Sequence, residues 1–276
     1  MYKISIIIPC YNHGKYIMDA IDSLALLNNT IDYEMIIIND GSTDEYTNTL
    51  LTDLSNKGYN IIFQENKGLS AARNTGISIA KGEFILPLDA DNKIRTNYVY
   101  KSIKVLETIK DISIVYGNGA FFGEQTGLKR QFEFNLQRLM LYNYIDACAV
   151  YRKSVWEAVG GYDSNMKYGL EDWEFWLNAA FKGFKFSYID DILFDYRVLS
   201  NSMVNTLNSS KIKNDKSLDY ICEKHKMFFG PQYIDEFLMS KVNTSFMGFV
   251  GKLILKKYFK TKFESMVQKG ELRRYL

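Results

Sequence analysis

Phe84-Ile85-Leu86-Pro87-Leu88-Asp89-Ala90-Asp91 is the stretch that decides how this chain is read. A short, continuous apolar run suits a strand covered on both faces. Two aspartates, one small residue apart, then leave its end. Ligands of an open α/β sheet bind outside the carboxyl ends of the strands. Like charges repel and raise each other's pKa, so paired carboxylates there call for a counter-charge. A divalent cation, Mn²⁺ or Mg²⁺, takes hard oxygen ligands and often shares one or two carboxylates with substrate phosphates. The alternative is a solvated turn, and the rest of the chain has to decide.

Upstream, Ile4 to Ile8 is a β-branched run stopped by Pro9, which predicts a buried first strand. The loop 9–14 follows and contains Tyr11, Asn12 and His13, the last read as an ordinary loop residue. Apolar residues from Tyr16 to Leu27 recur at helical spacing. Residues 34–38 predict a second strand, which ends in Asn39-Asp40-Gly41-Ser42-Thr43-Asp44, a turn and helix-cap signal. A helix runs from there to Gly58, a third strand covers 60–63, and Gly68 opens a third helix carrying Arg73. Strands alternating with helices at this pitch mean right-handed βαβ units and a mostly parallel sheet. The loop at 9–14, Asp40 and Asp89/Asp91 then converge on one crevice.

Downstream, a helix is expected over 98–109, a strand over 112–116, and a hairpin or loop over 117–130. A strand is expected over 146–151 and a short helix over 153–159, ended by Gly160-Gly161. The next helix starts at Glu171-Asp172-Trp173-Glu174, and its spacing makes Trp173 and Trp176 packing residues. Acidic residues in a first turn are stabilised by the helix dipole. That explanation competes with one in which a carboxylate there faces the crevice as a general base. Strand pieces follow at 186–190 and 192–197, then a polar loop at 200–202 and helical stretches over 210–224 and 245–260.

The net charge of +2 conceals an asymmetry, because residues 241–276 carry nine Lys/Arg against two Glu. The remainder is mildly acidic, which argues against nucleic acid as a partner. The basic tail suits an anionic membrane surface, with a basic helix packed on the domain as the alternative. Three dispersed cysteines form no metal or disulfide pattern and fit a reducing, cytoplasmic setting. The amino-terminal apolar run is too short for a signal peptide. Neither G-x-G-x-x-G nor G-x-x-x-x-G-K-[ST] occurs, which disfavours dinucleotide dehydrogenases and P-loop enzymes.

Six segments together resemble the family 2 glycosyltransferases of GT-A fold. They are Ser5–Asn12, Ile38–Asp44, Asn66–Gly76, Phe84–Asp91, Gly160–Asp163 and Glu171–Trp173, in order along the chain. The resemblance implies an inverting transfer of a sugar from a nucleotide diphosphate, most simply UDP, to an acceptor hydroxyl of a glycan or lipid-linked glycan. It implies a nucleotide site of Pro9, Tyr11, Asn12, Asp40, Gly68, Arg73, Asp89 and Ala90, with Asp40 accepting a hydrogen bond from the uracil imide. It makes Asp91 of the DxD motif the metal ligand for Mn²⁺ or Mg²⁺, Asp172 the catalytic base and Glu171 its neighbouring carboxylate. Gly161, Tyr162, Trp173 and Arg197 fall to the donor sugar and acceptor.

The chain departs from the family pattern where Tyr196-Arg197 is followed by Val198-Leu199 rather than by a metal-binding histidine. Asp91, diphosphate and water then have to hold the metal, and Arg197 or Ser202 becomes available to phosphate. The expected organisation is a catalytic domain over 1–205, with a nucleotide half at 1–92 and an acceptor half at 93–205. A helical extension over 206–276 associates with a membrane or partner. The expected role is surface polysaccharide, capsule or O-antigen synthesis by a cytoplasmic enzyme peripheral to the inner face of the membrane. A nucleotide-sugar-binding module without turnover and a sugar nucleotidyltransferase are the competing readings.

Overall fold

The structure is a computed structural model, and it describes residues 2–27, 31–199 and 211–229 with scattered positions between 254 and 265. Four parallel strands form its first half: β1 (Ile4–Cys10), β2 (Tyr33–Asp40), β3 (Ile61–Gln64) and β4 (Phe84–Pro87). They lie in the order β3-β2-β1-β4. Each crossover is a helix: α1 (Gly14–Leu24), α2 (Glu45–Asn56) and α3 (Leu69–Ile79). The continuous apolar runs have the reason expected of them, since β1 and β4 are buried on both faces.

Alternation along β1 separates two cores. Ile4, Ile6 and Ile8 pack with Ile17 and Leu24 of α1, Leu51 and Leu54 of α2, and Tyr98 and Leu106 of α4 (Thr96–Thr108). Ile7 packs on the other face with Ala72 and Ile77 of α3. That core also contains Val155 of α6 (Lys153–Val159) and Trp173 and Trp176 of α7 (Glu171–Phe181). Each fully buried aliphatic side chain contributes about 1.5–3 kcal/mol.

The second half of the sheet is mixed. β8 (Val150–Arg152) runs antiparallel to β4 and to β6 (Ile112–Gly123). β6 also pairs in parallel with β9 (Lys185–Val198) and makes a hairpin with β7 (Gly127–Lys129), while the short β5 (Lys93–Ile94) pairs with β9. Counted by paired residues, the sheet is mostly parallel, as expected. The last helix described in full, α8 (Lys211–Lys224), buries Ile221 in the second core beside Phe229.

Two local readings change, and a third is narrowed to one of its alternatives. The strand expected over 146–151 shortens to 150–152. Asp146 Oδ1 accepts from the Cys148 amide at 3.0 Å, and the Cys148 carbonyl accepts from the Tyr98 hydroxyl, so side chains replace a ladder there. The two pieces at 186–190 and 192–197 are one strand. Its register against β6 steps from Gly117↔Ile189 to Asn118↔Ile192, an irregularity pinned by the Asn118–Asp190 hydrogen bond of 3.0 Å. The segment 117–130 resolves as the β6–β7 hairpin. Ser202 and the helix expected over 245–260 lie outside, or almost wholly outside, the described residues, as does most of the basic segment 241–276. No helix among the described residues is long and apolar enough to cross a membrane.

Gly82 sets how closely β4 approaches β1. A Cβ there would lie 2.5 Å from the Ser5 backbone nitrogen and 2.6 Å from the Ile4 carbonyl carbon. Gly82→Ala is expected to lower stability by about 1–3 kcal/mol, as overpacking against rigid backbone does, measured by urea unfolding.

Candidate active site

The carboxyl ends of β1, β2 and β4 are held together by side chains from their own loops. Asn12, in left-handed backbone at φ +57°, accepts at Oδ1 from the Thr43 and Asp44 amides at 2.7 and 2.9 Å. It braces the loop after β1 against the loop after β2. Asp40 is buried and accepts from Gln64 Nε2 at 2.7 Å, the Lys67 amide at 2.9 Å and the Gly68 amide at 2.9 Å. That carboxylate shapes the turn into α3, where Gly68 has φ +87°. Pro9 is buried in β1, beyond the last pairing with β4, so its missing N–H costs no ladder bond. Tyr11 stands at the mouth of the crevice, 45% exposed.

Arg73 comes from the first turns of α3 and is 1% exposed. Its Nη2 donates to Asp89 Oδ1 at 2.8 Å and its Nη1 to Glu171 Oε1 at 2.6 Å. The guanidinium lies 5.3 Å from the centre of the Tyr162 ring. Burial works against its charge, but Asp89 and Glu171 more than offset it and hold the pKa well above the ordinary value. One planar cation thereby joins the strand end that bears the DxD pair to the helix start that bears Glu171 and Asp172. Asn74, next to it, accepts from Trp156 Nε1 and the Tyr162 amide and donates to the Tyr162 carbonyl. This locks the Gly160-Gly161-Tyr162 turn. Gly161 has φ +81°, and a Cβ there would meet Asn74 Oδ1 at 2.8 Å.

Asp91 is pushed up to about 6, first by burial and then by Asp89, against the opposing charges of His13 and Arg197. Among the described residues no side chain is hydrogen-bonded to its carboxylate, and no group of three or more His, Cys, Asp or Glu is arranged around a metal position. An unpaired carboxylate in a repulsive field, beside a second carboxylate, is a hard oxygen donor suited to Mn²⁺ or Mg²⁺ that brings phosphate ligands with it. Ala90 buries its methyl in the first core, so only its backbone can reach a ligand.

Asp172 is pushed up to about 7 by burial and by Glu171, with Asp146 adding and Arg73 and Asn143 opposing. Its Oδ2 accepts from Asn143 Nδ2 at 2.9 Å, and its Oδ1 from the Trp173 amide at 2.8 Å. The first turn of α7 thus divides its acids. Glu171 pairs with Arg73, Asp172 accepts from Asn143, and Glu174 is wholly buried against Lys224 and His225.

The remaining residues expected at the donor sugar and acceptor are engaged within the protein. Trp173 is buried and donates Nε1 to the Leu139 carbonyl at 2.5 Å. Tyr162 is buried and stacks on Phe175 with centroids 4.3 Å apart. Arg197 is also occupied. Its guanidinium pairs with Asp19, donates Nε to the Asp91 carbonyl at 3.0 Å and lies over the Phe122 and Tyr16 rings at 4.3 and 4.8 Å. With its amide on Asn92 Oδ1 at 2.9 Å, Arg197 is a latch on the DxD loop, not a free phosphate ligand.

Two crevice residues escaped the reading of the sequence. Asn143 lies in an unpatterned loop, and nothing in its neighbourhood signals the partner it finds in Asp172. Tyr196 was legible only as half of Tyr196-Arg197. Its hydroxyl is held far above the usual range by burial and by the charges of Asp146, Asp89, Asp91 and Asp172. Lys129, at the β7 tip, lies 4.5 Å from its ring centre and 3.4 Å from Asp146 Oδ2.

Residues 5–160 match the family described as Glycosyl transferase family 2. An uncharacterized glycosyltransferase of Rickettsia prowazekii is 28% identical over 229 residues, which cover 79% of this chain and 69% of that protein. Chondroitin synthase of Pasteurella multocida is 29% identical over 220 residues, 75% of this chain and 22% of that much longer protein. Among solved structures, residues 1–349 of S. aureus TarS in complex with UDP-GlcNAc match with a TM-score of 0.62 at 18% identity, covering 99% of this chain and 94% of that one. The mannosyltransferase PcManGT of Pyrobaculum calidifontis, in complex with GDP-Man and Mn²⁺, matches with a TM-score of 0.61 at 14% identity, covering 98% and 79%.

Removing Arg73 leaves two carboxylates facing each other with no shared cation. Arg73→Met is expected to cost about 3–5 kcal/mol, the penalty for breaking a buried ion pair from one side. Arg73→Lys is expected to recover only part of it, because a point charge cannot span both partners. Denaturant titration of the two variants checks this.

Proposed function

Because the chain belongs to glycosyl transferase family 2 and has the GT-A fold, we propose that it moves a sugar from a UDP-sugar to an acceptor hydroxyl with inversion, in building a surface polysaccharide. The observation that carries this reading is the Arg73 bridge. It ties the loop of Asp89 and Asp91 to the helix start that bears Asp172, whose carboxylate has no cation partner among the described residues and is pushed up to about 7.

Tyr11 and the 40–68 loop bind the nucleotide base. Asp40 uses three of its roughly four acceptor positions within the protein, and the one left on Oδ2 suits the imide N–H of uracil. Asp89 holds the ribose while remaining on Arg73. Asp91 would hold a divalent cation together with the donor's diphosphate, and that cation would supply charge to neutralise the leaving group. Asp172 takes the proton of the acceptor hydroxyl as its oxygen bonds to the anomeric carbon from the face opposite the diphosphate. The bond from that carbon to the phosphate oxygen breaks with its electron pair on the diphosphate. A base poised near neutral pH matches this task. Asn143 orients the carboxylate of Asp172.

The kinship with chondroitin synthase supports a polysaccharide product. The excess of seven positive charges over 241–276 supports a peripheral position on a membrane, where a lipid-linked acceptor is available.

Calorimetric titration of UDP is expected to give binding that strengthens with Mn²⁺ and loses that dependence in Asp91→Ala. Preference for GDP would overturn the assignment of Asp40 to uracil. Asp172→Asn is expected to keep UDP affinity and lose at least about 10²-fold in transfer. With Asp172 acting in its ionised form, kcat/KM should fall about tenfold per pH unit below roughly pH 7 and level off above it. A profile flat from pH 5 to 8 would remove Asp172 from the role of base.

A further inference from the structure

The segment that delivers Glu171 and Asp172 starts from strained backbone. Leu170 has φ +67° and Gly169 before it φ +100°. A bulky residue in the left-handed region persists only where its surroundings over-determine it. Leu170 is also the residue that starts α7, and it provides no side-chain cap. The restraint comes from α8, beyond the family-matched residues 5–160.

Lys224, at the end of α8, donates Nζ to Asp163 Oδ2 at 2.6 Å and lies 2.8 Å from Glu174 Oε1. Asp163 opens the loop that precedes α7, and Glu174 sits in the first turn of α7. One ammonium therefore ties together the two ends of the segment 163–174, with the strained turn, Glu171 and Asp172 between them. Its neighbours reinforce both ends. Tyr220 donates to Asp163 Oδ2 at 2.8 Å, and His225 Nε2 lies 2.8 Å from Glu174 Oε1. Glu174 is 0% exposed, and its Oε2 is buried without a partner among the described residues, so its placement depends on the Lys224 ammonium and the His225 ring. Phe228 stacks on Phe181 of α7 with centroids 3.9 Å apart and holds α8 against it.

We propose that Lys224 is a positioning residue for Asp172, a staple that fixes the start of α7 so that the carboxylate stays on Asn143 and faces the crevice. Joining the ends of a loop restricts its conformations, and ångström-level placement of a base is worth large factors in rate. The inference rests on the reading of Asp172 as general base.

The test compares Lys224→Met, Lys224→Arg and the double variant K224M/E174Q, which removes the staple without leaving a buried carboxylate behind. Hydrogen exchange is followed over 163–174, with UDP affinity and transfer kinetics alongside. Both staple-free variants should exchange faster in that segment alone. Their kcat should drop about 10- to 100-fold, with KM for the donor and UDP affinity within about twofold of wild type, while the Arg variant restores both rates. Unchanged exchange over 163–174, unchanged kcat, or losses spread over the whole molecule together with UDP affinity would each overturn the proposal. Wild-type protein that transferred no sugar would instead remove the reading of Asp172, and the catalytic half of this inference with it, whatever the exchange showed.

Discussion

A guanidinium taken out of water is the constraint on which this crevice depends. Arg73 would be costly to bury alone, and its two carboxylate partners would repel each other without it. Together they form a three-membered bridge whose planar geometry fixes the distance between β4 and α7. The bridge needs α3 to lie close against the sheet. Ala72 and Gly76 provide that approach, since a Cβ at Gly76 would fall 2.6 Å from Ile7 Cγ2. Small residues on one face of α3 thus determine how closely its own Arg73 approaches the sheet.

The electrostatics of the crevice follow from how few cations reach it among the described residues. Arg73 is held by Asp89 and Glu171, Arg197 by Asp19 and the Asp91 carbonyl, and Lys129 lies towards Asp146. Asp91 and Asp172 remain, each raised by burial and by a neighbouring carboxylate. The two sit in the same negative field with different neighbours, the Arg197 latch beside Asp91 and the Asn143 amide on Asp172.

Much of this was legible in the sequence because local chemistry and tertiary placement agree there. The buried runs at 4–8 and 84–88, the turn at 39–44 and the Gly160-Gly161 stop each state their structure within a few residues. The parallel half of the sheet follows from them. The mixed half was less legible, since β8 survives as three residues only after Asp146 and Tyr98 have claimed the backbone before it. Roles set by long-range partners were not legible at all. Arg197 reads as an available cation until Asp19, Tyr16 and Phe122 are brought around it. Asn143 and Lys224 have no local signature, because what matters about each is a residue far along the chain.

The latch formed by Arg197 has a consequence for biosynthesis. The loop at 89–92 emerges from the ribosome early, yet the residue that clasps its backbone lies more than a hundred positions later, on the last strand of the sheet. β9 can join only after β6, β8 and the helices between them have been made. A nascent chain therefore exposes its paired aspartates long before it can fix them. Contacts of such long range also slow folding. The loop that bears the paired aspartates is written first and finished last.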